Sequence, residues 1–272
     1  MKAYVFPGQG SQKPGMGQTL YNEVLESRAL FKKANKILNF NITELMFEGT
    51  DEDLLQTKVT QPAIFIHSAI LALTSKTFAP DVCAGHSLGE FSALVASNAI
   101  SFEDGLKLVS IRANAMQKAC QDTNGTMAAI LGLSDEIIES SCSEIDGVVK
   151  PANYNCPGQL VISGEIKSVE KACEILKEKG ARRALILPVS GAFHSELMSS
   201  AVNDLKKGIE ETDFTKPSCP IYQNFTGCPE QEPAKIKTNL LSQLTGAVLW
   251  NQTINNLSLI HISEPTRQAE IS

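Results

Sequence analysis

The sequence lacks several features that would each point to a class of protein. Among its 272 residues, lysine and arginine total 24 against 30 aspartates and glutamates, which gives a net charge of −6. A dedicated nucleic-acid-binding protein would show a basic excess instead. No run of about 18 apolar residues occurs, so no transmembrane helix is indicated. The chain reaches Pro7-Gly8 too early for the apolar stretch of a secretory signal. We therefore predict a cytoplasmic protein that binds neither nucleic acid nor membrane.

Cysteine and histidine patterns argue against a metal site or a disulfide framework. The seven cysteines are odd in number, irregularly spaced and without a CxxC pair. This pattern fits reduced, buried thiols rather than disulfides or bound zinc. Only four histidines occur, His67, His86, His194 and His261. We predict no metal site, and the scarcity of histidine leaves few candidates for a catalytic base.

What the sequence does contain is an ordinary globular balance, with 43% hydrophobic and 20% charged residues. Its length corresponds to just under two domains at about 150 residues each. Residues 3–6 predict a short buried strand, and residues 82–84 a second strand that stops at a glycine. Helical character covers 20–38, 61–77 and 90–97, and Ser101 opens another helix as its N-cap, running to about residue 120. Alternating strands, glycine-rich turns and helices predict an α/β fold.

The middle of the chain has a different rhythm. Residues 127–133, 147–153, 159–163 and 184–189 predict strands, and 134–143 predicts a helix. Val169, Ala172, Cys173 and Leu176 form one face of a further helix, with Gly180 as its C-terminal cap. The order β-α-β-β-α-β is the ferredoxin-like pattern. We predict a small domain over 126–189, inserted into a large domain formed by 1–125 and 190–256.

Residues 85–89, with the sequence GHSLG, match the G-x-S-x-G pattern of a nucleophile elbow. An apolar strand precedes the motif and a helix follows it, as this chemistry requires. The flanking glycines relieve crowding in a sharp turn that holds the Ser87 hydroxyl out. The backbone N–H of Leu88 then points toward a developing oxyanion. The alternative is a plain glycine-serine loop.

A nucleophilic serine needs a base. His86 adjoins Ser87 in sequence, so its ring is poorly placed to accept the serine proton. His67 lies in an apolar helical segment and is expected to be a packed core histidine. His194 follows the strand predicted at 184–189, and ends of strands are where α/β enzymes place catalytic groups. We predict His194 as the base, with a surface-loop histidine as the alternative.

A glycine-rich loop, PGQGSQ at residues 7–12, follows the first strand. A dinucleotide motif fails because Lys13 stands where glycine is required, and a P-loop fails because Met16 stands where lysine is required. What remains is a turn whose backbone approaches another group closely. The Gln9 N–H is a candidate second oxyanion donor, and the alternative is a tight turn without a catalytic role.

Together these motifs resemble the malonyl-CoA:acyl-carrier-protein transacylase family. The resemblance runs from Tyr4 to about Trp250 and includes YVFPGQGSQ, GHSLGE, NYNCPGQ and GAFHS in that order. It implies an α/β-hydrolase-like large domain with an inserted ferredoxin-like small domain. It also implies ping-pong transfer of a malonyl group from malonyl-CoA, a coenzyme A thioester, to acyl carrier protein, without a cofactor. We expect a monomer.

The resemblance also implies roles for individual residues. Ser87 matches the nucleophile and His194 the base, while Gln9 and Leu88 match the backbone donors to the oxyanion. Arg112, among apolar neighbours on the helix opened by Ser101, matches the arginine that holds the malonyl carboxylate. Without the resemblance, a snorkelling surface arginine would be the favoured interpretation. The remaining matches are the histidine-orienting main-chain carbonyl of Gln243 and three further active-site residues, His86, Asn153 and Phe193. A bulky Phe193 ring leaves little room for an α-methyl branch.

Other functions share parts of this pattern. A serine esterase or thioesterase has the same elbow but usually adds an acidic residue between serine and histidine, and the interval from Ser87 to His194 contains many. Arg112 and the Gln9 loop favour transfer. A polyketide-type loading acyltransferase differs only in pathway, and we predict fatty acid biosynthesis. A non-catalytic binding protein would not be expected to retain Ser87, His194 and Arg112 together.

The end of the chain departs from the family pattern. Residues 257–267 read as an in-frame translation of a transposase-type sequencing adapter, and 268–272 as index and further adapter bases. We predict that the native sequence ends near Asn256, that 257–272 are a non-native tail and that the closing strand and helix of the large domain are absent. His261 is therefore no candidate for a ligand or a base.

Overall fold

The structure, a computed structural model, describes residues 1–262. These residues form two four-stranded sheets surrounded by helices. The elements in chain order are β1 (Ala3–Phe6), α1 (Gln18–Glu23), α2 (Leu25–Leu38), α3 (Ile42–Glu48), α4 (Asp51–Leu55), α5 (Thr57–Thr74), β2 (Val82–Gly85), α6 (Gly89–Ala96), α7 (Phe102–Asp122), β3 (Gly125–Leu131), α8 (Asp135–Ser143), β4 (Val149–Cys156), β5 (Gln159–Glu165), α9 (Ile166–Glu178), β6 (Arg183–Ile186), a 3-10 turn (Glu196–Met198), α10 (Ser199–Glu210), β7 (Ile221–Tyr222), β8 (Pro229–Glu230), α11 (Pro233–Thr245) and α12 (Trp250–Ile262).

The first sheet has the strand order β1-β2-β7-β8, and its first three strands are parallel. Strand β2 lies between two neighbours and is buried along its whole length. Strand β1 is confirmed, but the prediction that it is buried is wrong. Only Phe6 is buried and Val5 is 53% exposed, because β1 lies at the edge of this sheet. The adjacent carboxyl ends of β1 and β2 bring the two glycine-rich loops together.

Helices cover this sheet and supply most of the core. Helix α5 is buried on nearly every face, as its apolar sequence requires. It begins at Thr57, before the predicted start, and contains Pro62. The predicted helix over 20–38 is instead two helices separated at Val24, which has extended backbone angles. The buried Ser27 hydroxyl stabilises this break by donating to the carbonyl groups of Leu20 and Val24.

The N-cap of α7 is confirmed. The Ser101 hydroxyl accepts a hydrogen bond from the Asp104 N–H at 3.0 Å, and the helix continues to Asp122. One of the exposed donors of the first turn is thereby satisfied. Helix α7 packs against α5 and α10 and carries Arg112 into the interior.

The second sheet has the order β4-β5-β3-β6, with antiparallel pairing throughout. This order and the sequence of elements confirm the predicted ferredoxin-like arrangement. Its own apolar core lies beneath α8 and α9, and the predicted face of α9 is buried in it. Strand β6 ends at Ile186, earlier than predicted, just before Pro188 interrupts the chain with a residue that lacks an N–H. The domain boundaries at 126 and 189 stay predictions.

Hydrogen bonds tie the second sheet to the first part of the molecule. The main-chain N–H of Tyr154 donates to the Val248 carbonyl at 2.9 Å, and the main-chain N–H of Val248 donates to the Ala152 carbonyl at 2.8 Å. Strand β4 therefore pairs with Val248, in the segment that precedes α12, through a parallel bridge at Asn153. This connection holds one face of the second sheet over the ends of β1 and β2.

The predicted non-native tail begins inside α12. Leu257 packs in a small cluster with Val82, Ala84 and Tyr222. Residues 263–272 lie outside the described residues, and the origin of 257–272 stays a prediction. Within residues 1–262, no helix combines the length and the apolar character that crossing a membrane requires.

A substitution at the end of α9 tests the predicted cap. Gly180 has a φ of 98°, and the Ala181 N–H closes the helix by donating to the Leu176 carbonyl at 2.9 Å. We expect Gly180→Ala to lower the free energy of unfolding by about 1 kcal/mol, because an alanine is strained in this conformation. A Cβ there would contact nothing within 4 Å, so backbone strain is the only new term.

Urea unfolding followed by circular dichroism measures this change. Glu178→Ala, at an exposed position on the last turn of the same helix, is the control. An equal loss of stability in both variants would contradict the assignment of the cap.

Candidate active site

Ser87 occupies a sharp turn between β2 and α6. Its φ is 51°, in the left-handed region that non-glycine residues rarely adopt. A Cβ at Gly85 would lie 2.0 Å from the Gly89 carbonyl group, and one at Gly89 would lie 2.3 Å from the Phe6 carbonyl oxygen. Both flanking positions therefore require glycine. The strand, turn and helix form the nucleophile elbow that the sequence predicts.

His194 lies beside the Ser87 hydroxyl. The His194 Nε2 is 2.8 Å from Ser87 Oγ, and its Nδ1 is 2.8 Å from the main-chain carbonyl oxygen of Gln243. Since a carbonyl only accepts, Nδ1 carries the proton and donates it to Gln243. Nε2 is then free to accept the serine proton, as a general base must.

The surroundings of His194 keep its ring neutral. The side chain is only 3% exposed, and burial, reinforced by the positive charge of Arg112, lowers its pKa to about 3. A neutral imidazole is the form that can accept a proton from Ser87. The geometry and the protonation state therefore agree on a base.

Arg112 reaches the same point from α7. Its guanidinium donates from Nη1 to Gln61 Oε1 at 2.7 Å and from Nη2 to Ser87 Oγ at 3.1 Å and to Gln243 Oε1 at 3.3 Å. The side chain is 1% exposed, which excludes a snorkelling surface arginine, and burial lowers its pKa to about 10. Its Nε has no hydrogen-bond partner within residues 1–262.

A buried cation normally has an anionic partner. Yet none of the ion pairs in the described part of the chain includes Arg112. The guanidinium is thus positively charged, beside a nucleophile and only partly satisfied. Its planar fork of N–H donors is suited to bind a carboxylate.

Two backbone N–H groups complete this arrangement. Leu88 begins α6 directly after the nucleophile, and Gln9 lies in the loop after β1. Gly8 packs against the His86 main chain, where a Cβ would lie 2.5 Å from the carbonyl oxygen, so the loop passes close to the elbow. Within residues 1–262 neither the Gln9 nor the Leu88 N–H has a hydrogen-bond acceptor. Both are free to stabilise an oxyanion.

A cavity of about 580 Å³ joins these groups. Apolar side chains from α7 and from the second sheet form part of its wall, including Met116, Met127 and Val161. Eight of the nine predicted site residues line it: Gln9, His86, Ser87, Leu88, Arg112, Asn153, Phe193 and His194. The ninth, Gln243, lies behind the wall and contacts His194 and Arg112 from there.

The other described histidines are not placed to act as the base. His86 Nε2 is 3.0 Å from Asn155 Oδ1, and its ring meets the Trp250 ring at 5.5 Å. His67 is only half-buried on α5 and does not line the cavity. The choice of His194 over both follows the geometry.

Sequence reasoning missed several residues that hold the site together. Glu90 is fully buried on the first turn of α6, and a charged residue inside an otherwise apolar helix is a signal that could have flagged it. Gln61 is likewise a polar residue in an apolar helix. Asn224 has no such local signal, because its contact with the elbow joins residues 137 positions apart.

Comparisons with known proteins agree with this geometry. The sequence model of the acyl transferase domain family matches residues 3–271. The malonyl CoA-acyl carrier protein transacylase of Bacillus subtilis (strain 168) is 43% identical over 260 residues, which cover 94% of this chain and 82% of that protein.

Solved structures are equally similar. An acyl carrier protein S-malonyltransferase from Vibrio cholerae has a TM-score of 0.91 at 40% identity, covering 95% of this chain and 86% of that one. A malonyl-transacylase in complex with its type II PKS acyl-carrier protein has a TM-score of 0.91 at 37% identity, covering 95% and 85%. These matches confirm the predicted α/β fold class.

The low pKa of His194 leads to a test by NMR. Between its folded pKa of about 3 and the ordinary value of 6.5, the unfolded chain binds a proton that the folded chain does not. This histidine therefore withdraws stability as the pH falls below about 6.5. We expect the His194 ring to remain neutral, with the proton on Nδ1, from pH 8 down to pH 5.

Imidazole nitrogen shifts of the labelled protein measure both properties. His67→Gln, His86→Gln and His261→Gln variants assign the signals, which leaves that of His194. A His194 titration with a midpoint above pH 5 would contradict the expected neutral base.

Proposed function

The chain belongs to the acyl transferase domain family and, within it, to the malonyl CoA-acyl carrier protein transacylases, and from this membership we propose what it does. It is an acyltransferase that moves a malonyl group from malonyl-CoA to the phosphopantetheine thiol of an acyl carrier protein in fatty acid synthesis. The observation that carries this proposal is the incompletely satisfied Arg112 guanidinium, 3.1 Å from the hydroxyl of an activated serine.

In the first half-reaction Ser87 becomes acylated. Its oxygen attacks the thioester carbonyl carbon while His194 Nε2 takes the hydroxyl proton. The N–H groups of Gln9 and Leu88 bind the oxyanion of the tetrahedral intermediate. The carbon–sulfur bond then breaks, and the proton on His194 passes to the departing coenzyme A sulfur. A malonyl ester on Ser87 remains.

The second half-reaction reverses the roles. The phosphopantetheine thiol of the carrier protein gives its proton to His194 and attacks the malonyl-Ser87 ester. The ester oxygen of Ser87 leaves and takes the proton back from His194. The scheme uses no metal or redox cofactor. We propose that the protein acts as a monomer.

Arg112 gives this reaction its selectivity for malonyl groups. A carboxylate two carbons from the thioester carbonyl accepts hydrogen bonds from the guanidinium while the carbonyl faces Ser87. Phe193, on the cavity wall beside His194, leaves little space for a branch at the α-carbon. The site therefore accepts malonyl groups and disfavours acetyl and methylmalonyl groups.

The contacts of His194 favour transfer over the hydrolase alternative. A serine hydrolase of this type orients its histidine with an Asp or Glu side chain. His194 Nδ1 instead donates to the carbonyl oxygen of Gln243, although acidic residues are plentiful in the chain. Comparing release of free malonate with transfer to carrier protein separates the two functions.

One relative supports a second candidate, a polyketide-type loading acyltransferase. That relative is a malonyl-transacylase in complex with its type II PKS acyl-carrier protein. The same serine, histidine and arginine chemistry serves either pathway. Transfer rates to a fatty acid carrier protein and to a polyketide carrier protein distinguish them.

Intact-mass spectrometry tests the acylation step. Mixed with malonyl-CoA, the protein is expected to gain one malonyl group, because Ser87 forms a stable ester in the absence of carrier protein. Ser87→Ala is expected to gain none, and Ser110→Ala, on the adjoining helix, to behave as the unaltered chain does. Methylmalonyl-CoA and acetyl-CoA are expected to label more slowly. Labelling of Ser87→Ala by malonyl-CoA would overturn the scheme.

The role of Arg112 predicts a change in acyl selectivity. A charge-assisted hydrogen bond contributes about 1.5–3 kcal/mol, so Arg112→Ala is expected to lower kcat/KM for malonyl-CoA by roughly 10- to 150-fold. The value for acetyl-CoA, which has no carboxylate, should change far less. Arg112→Lys should fall between, since it keeps the charge but not the planar fork.

Steady-state rates with both thioesters provide the ratio. Arg28→Ala, a surface arginine on α2, is the control. An equal loss for malonyl-CoA and acetyl-CoA would show that Arg112 does not read the carboxylate.

A further inference from the structure

Glu90 forms the centre of a hydrogen-bond network behind the cavity. Its side chain is fully buried and does not line the cavity. Its Oε1 accepts from Gln223 Nε2 at 2.8 Å. Its Oε2 accepts from the Asn224 N–H and from Gln243 Nε2, both at 2.9 Å. A buried carboxylate with three donors around it is fully satisfied in its ionised form.

The surrounding amides are held in the orientation that favours this charge. Gln223 Oε1 accepts from Asn239 Nδ2 at 2.7 Å, and Gln243 Oε1 accepts from Arg112 Nη2 at 3.3 Å. Turning either amide to offer Glu90 an acceptor would break one of these bonds. Burial raises the pKa of Glu90, while the three hydrogen bonds and the Arg112 charge oppose that rise.

The network reaches the nucleophile through Asn224. The Asn224 side chain accepts from the Ser87 N–H and donates to the Gly85 carbonyl at 2.6 Å. These two bonds span the elbow and hold Ser87 in its left-handed conformation. Glu90 binds the main-chain N–H of the same asparagine and so fixes its position.

The network reaches the base and the carboxylate-binding group through Gln243. The main-chain oxygen of Gln243 orients His194, and its side-chain oxygen accepts from Arg112. Its Nε2 donates both to Glu90 and, at 3.1 Å, to the Ser87 carbonyl. One amide thus links the buried anion to the buried cation without direct contact between their charges.

We propose that Glu90 is a positioning residue whose negative charge holds Asn224 and Gln243, and through them the Ser87 backbone and the His194 ring. This inference rests on the proposed function. This role differs from packing. A glutamine at position 90 would fill the same volume, but its amide group would point an N–H donor at one of the groups that now donate to Glu90. The network loses its fit while the cavity keeps its walls.

Glu90→Gln tests this role through the kinetics of Ser87 acylation by malonyl-CoA. We expect the maximal rate to fall at least tenfold, because serine and histidine lose their alignment. The half-saturating concentration of malonyl-CoA should not rise, because the residues that line the cavity are unchanged and Arg112 can still bind the malonyl carboxylate. Glu174→Gln, at an exposed position on α9, is the matched control and should equal the unaltered chain.

A second variant changes a residue that donates to Glu90 and leaves Glu90 itself in place. The Gln223 side chain forms hydrogen bonds with Glu90, with Asn239 and with the Ile236 carbonyl, and with none of the reacting groups. Gln223→Met removes one of the three donors at similar volume, and we expect a three- to tenfold fall in maximal rate with unchanged half-saturation. This variant decides the question if Glu90→Gln does not fold.

Two results would overturn the proposal. One is acylation within twofold of the unaltered rate in the folded variants. The other is a loss that appears as a raised half-saturating concentration at an unchanged maximal rate, which would indicate a disturbed cavity rather than misaligned groups.

A small fluorophosphonate that carries no carboxylate separates this inference from the proposed function. Its reaction needs only Ser87 and His194. If malonyl-CoA fails to acylate the unaltered chain, the proposed function fails, and the fluorophosphonate rates of the unaltered chain, Glu90→Gln and Gln223→Met still judge Glu90. A tenfold slower reaction of Glu90→Gln supports the positioning role, and an equal rate overturns it.

Discussion

The hydrogen bond from His194 to the main-chain carbonyl of Gln243 is the interaction on which the site depends. It places the imidazole proton on Nδ1 and leaves Nε2 to face Ser87. A carboxylate in that position would stabilise the imidazolium, whereas a neutral carbonyl beside a buried arginine does so far less. The resulting weak base is suited to thioester exchange, because a thiol with a pKa near 8.5 leaves more readily than an alcohol or an amine. The neutral acceptor also avoids a second anion that would form an ion pair with Arg112.

This arrangement requires parts of the chain that lie far apart in sequence. Helix α7 brings Arg112, the loop after β6 brings His194, and α11 brings Gln243, while β2 and α6 hold Ser87. The second sheet contributes Asn153, Asn155 and Val161 to the opposite wall of the cavity. Hydrogen bonds between β4 and Val248 hold that wall in place. The packing of the second sheet against the first part of the molecule is therefore what encloses the cavity.

The sequence predicts the features that depend on local patterns and misses those that depend on distant contacts. The elbow, the N-cap at Ser101 and the buried face of α9 each follow from residues a few positions apart. His194 follows from elimination among very few histidines. Gln243 came only from the family resemblance, since no spacing marks a main-chain acceptor, whereas the glycine-rich loop after β1 pointed to Gln9. The apolar residues of β1 predict a buried strand, since they do not reveal that it lies at the edge of a sheet.

The same reasoning explains why Glu90 and Asn224 escaped prediction. The side-chain hydrogen bonds of Glu90 and Asn224 join α6 or the elbow to residues more than 130 positions away, so no local sequence pattern contains them. A buried arginine with an unsatisfied Nε and a serine in left-handed conformation both destabilise the fold. Such strain persists only where surrounding contacts over-determine it, and the Glu90 network supplies those contacts. The fold thus keeps a partly unsatisfied cation in its interior because an anion one amide away balances its charge without occupying its donors.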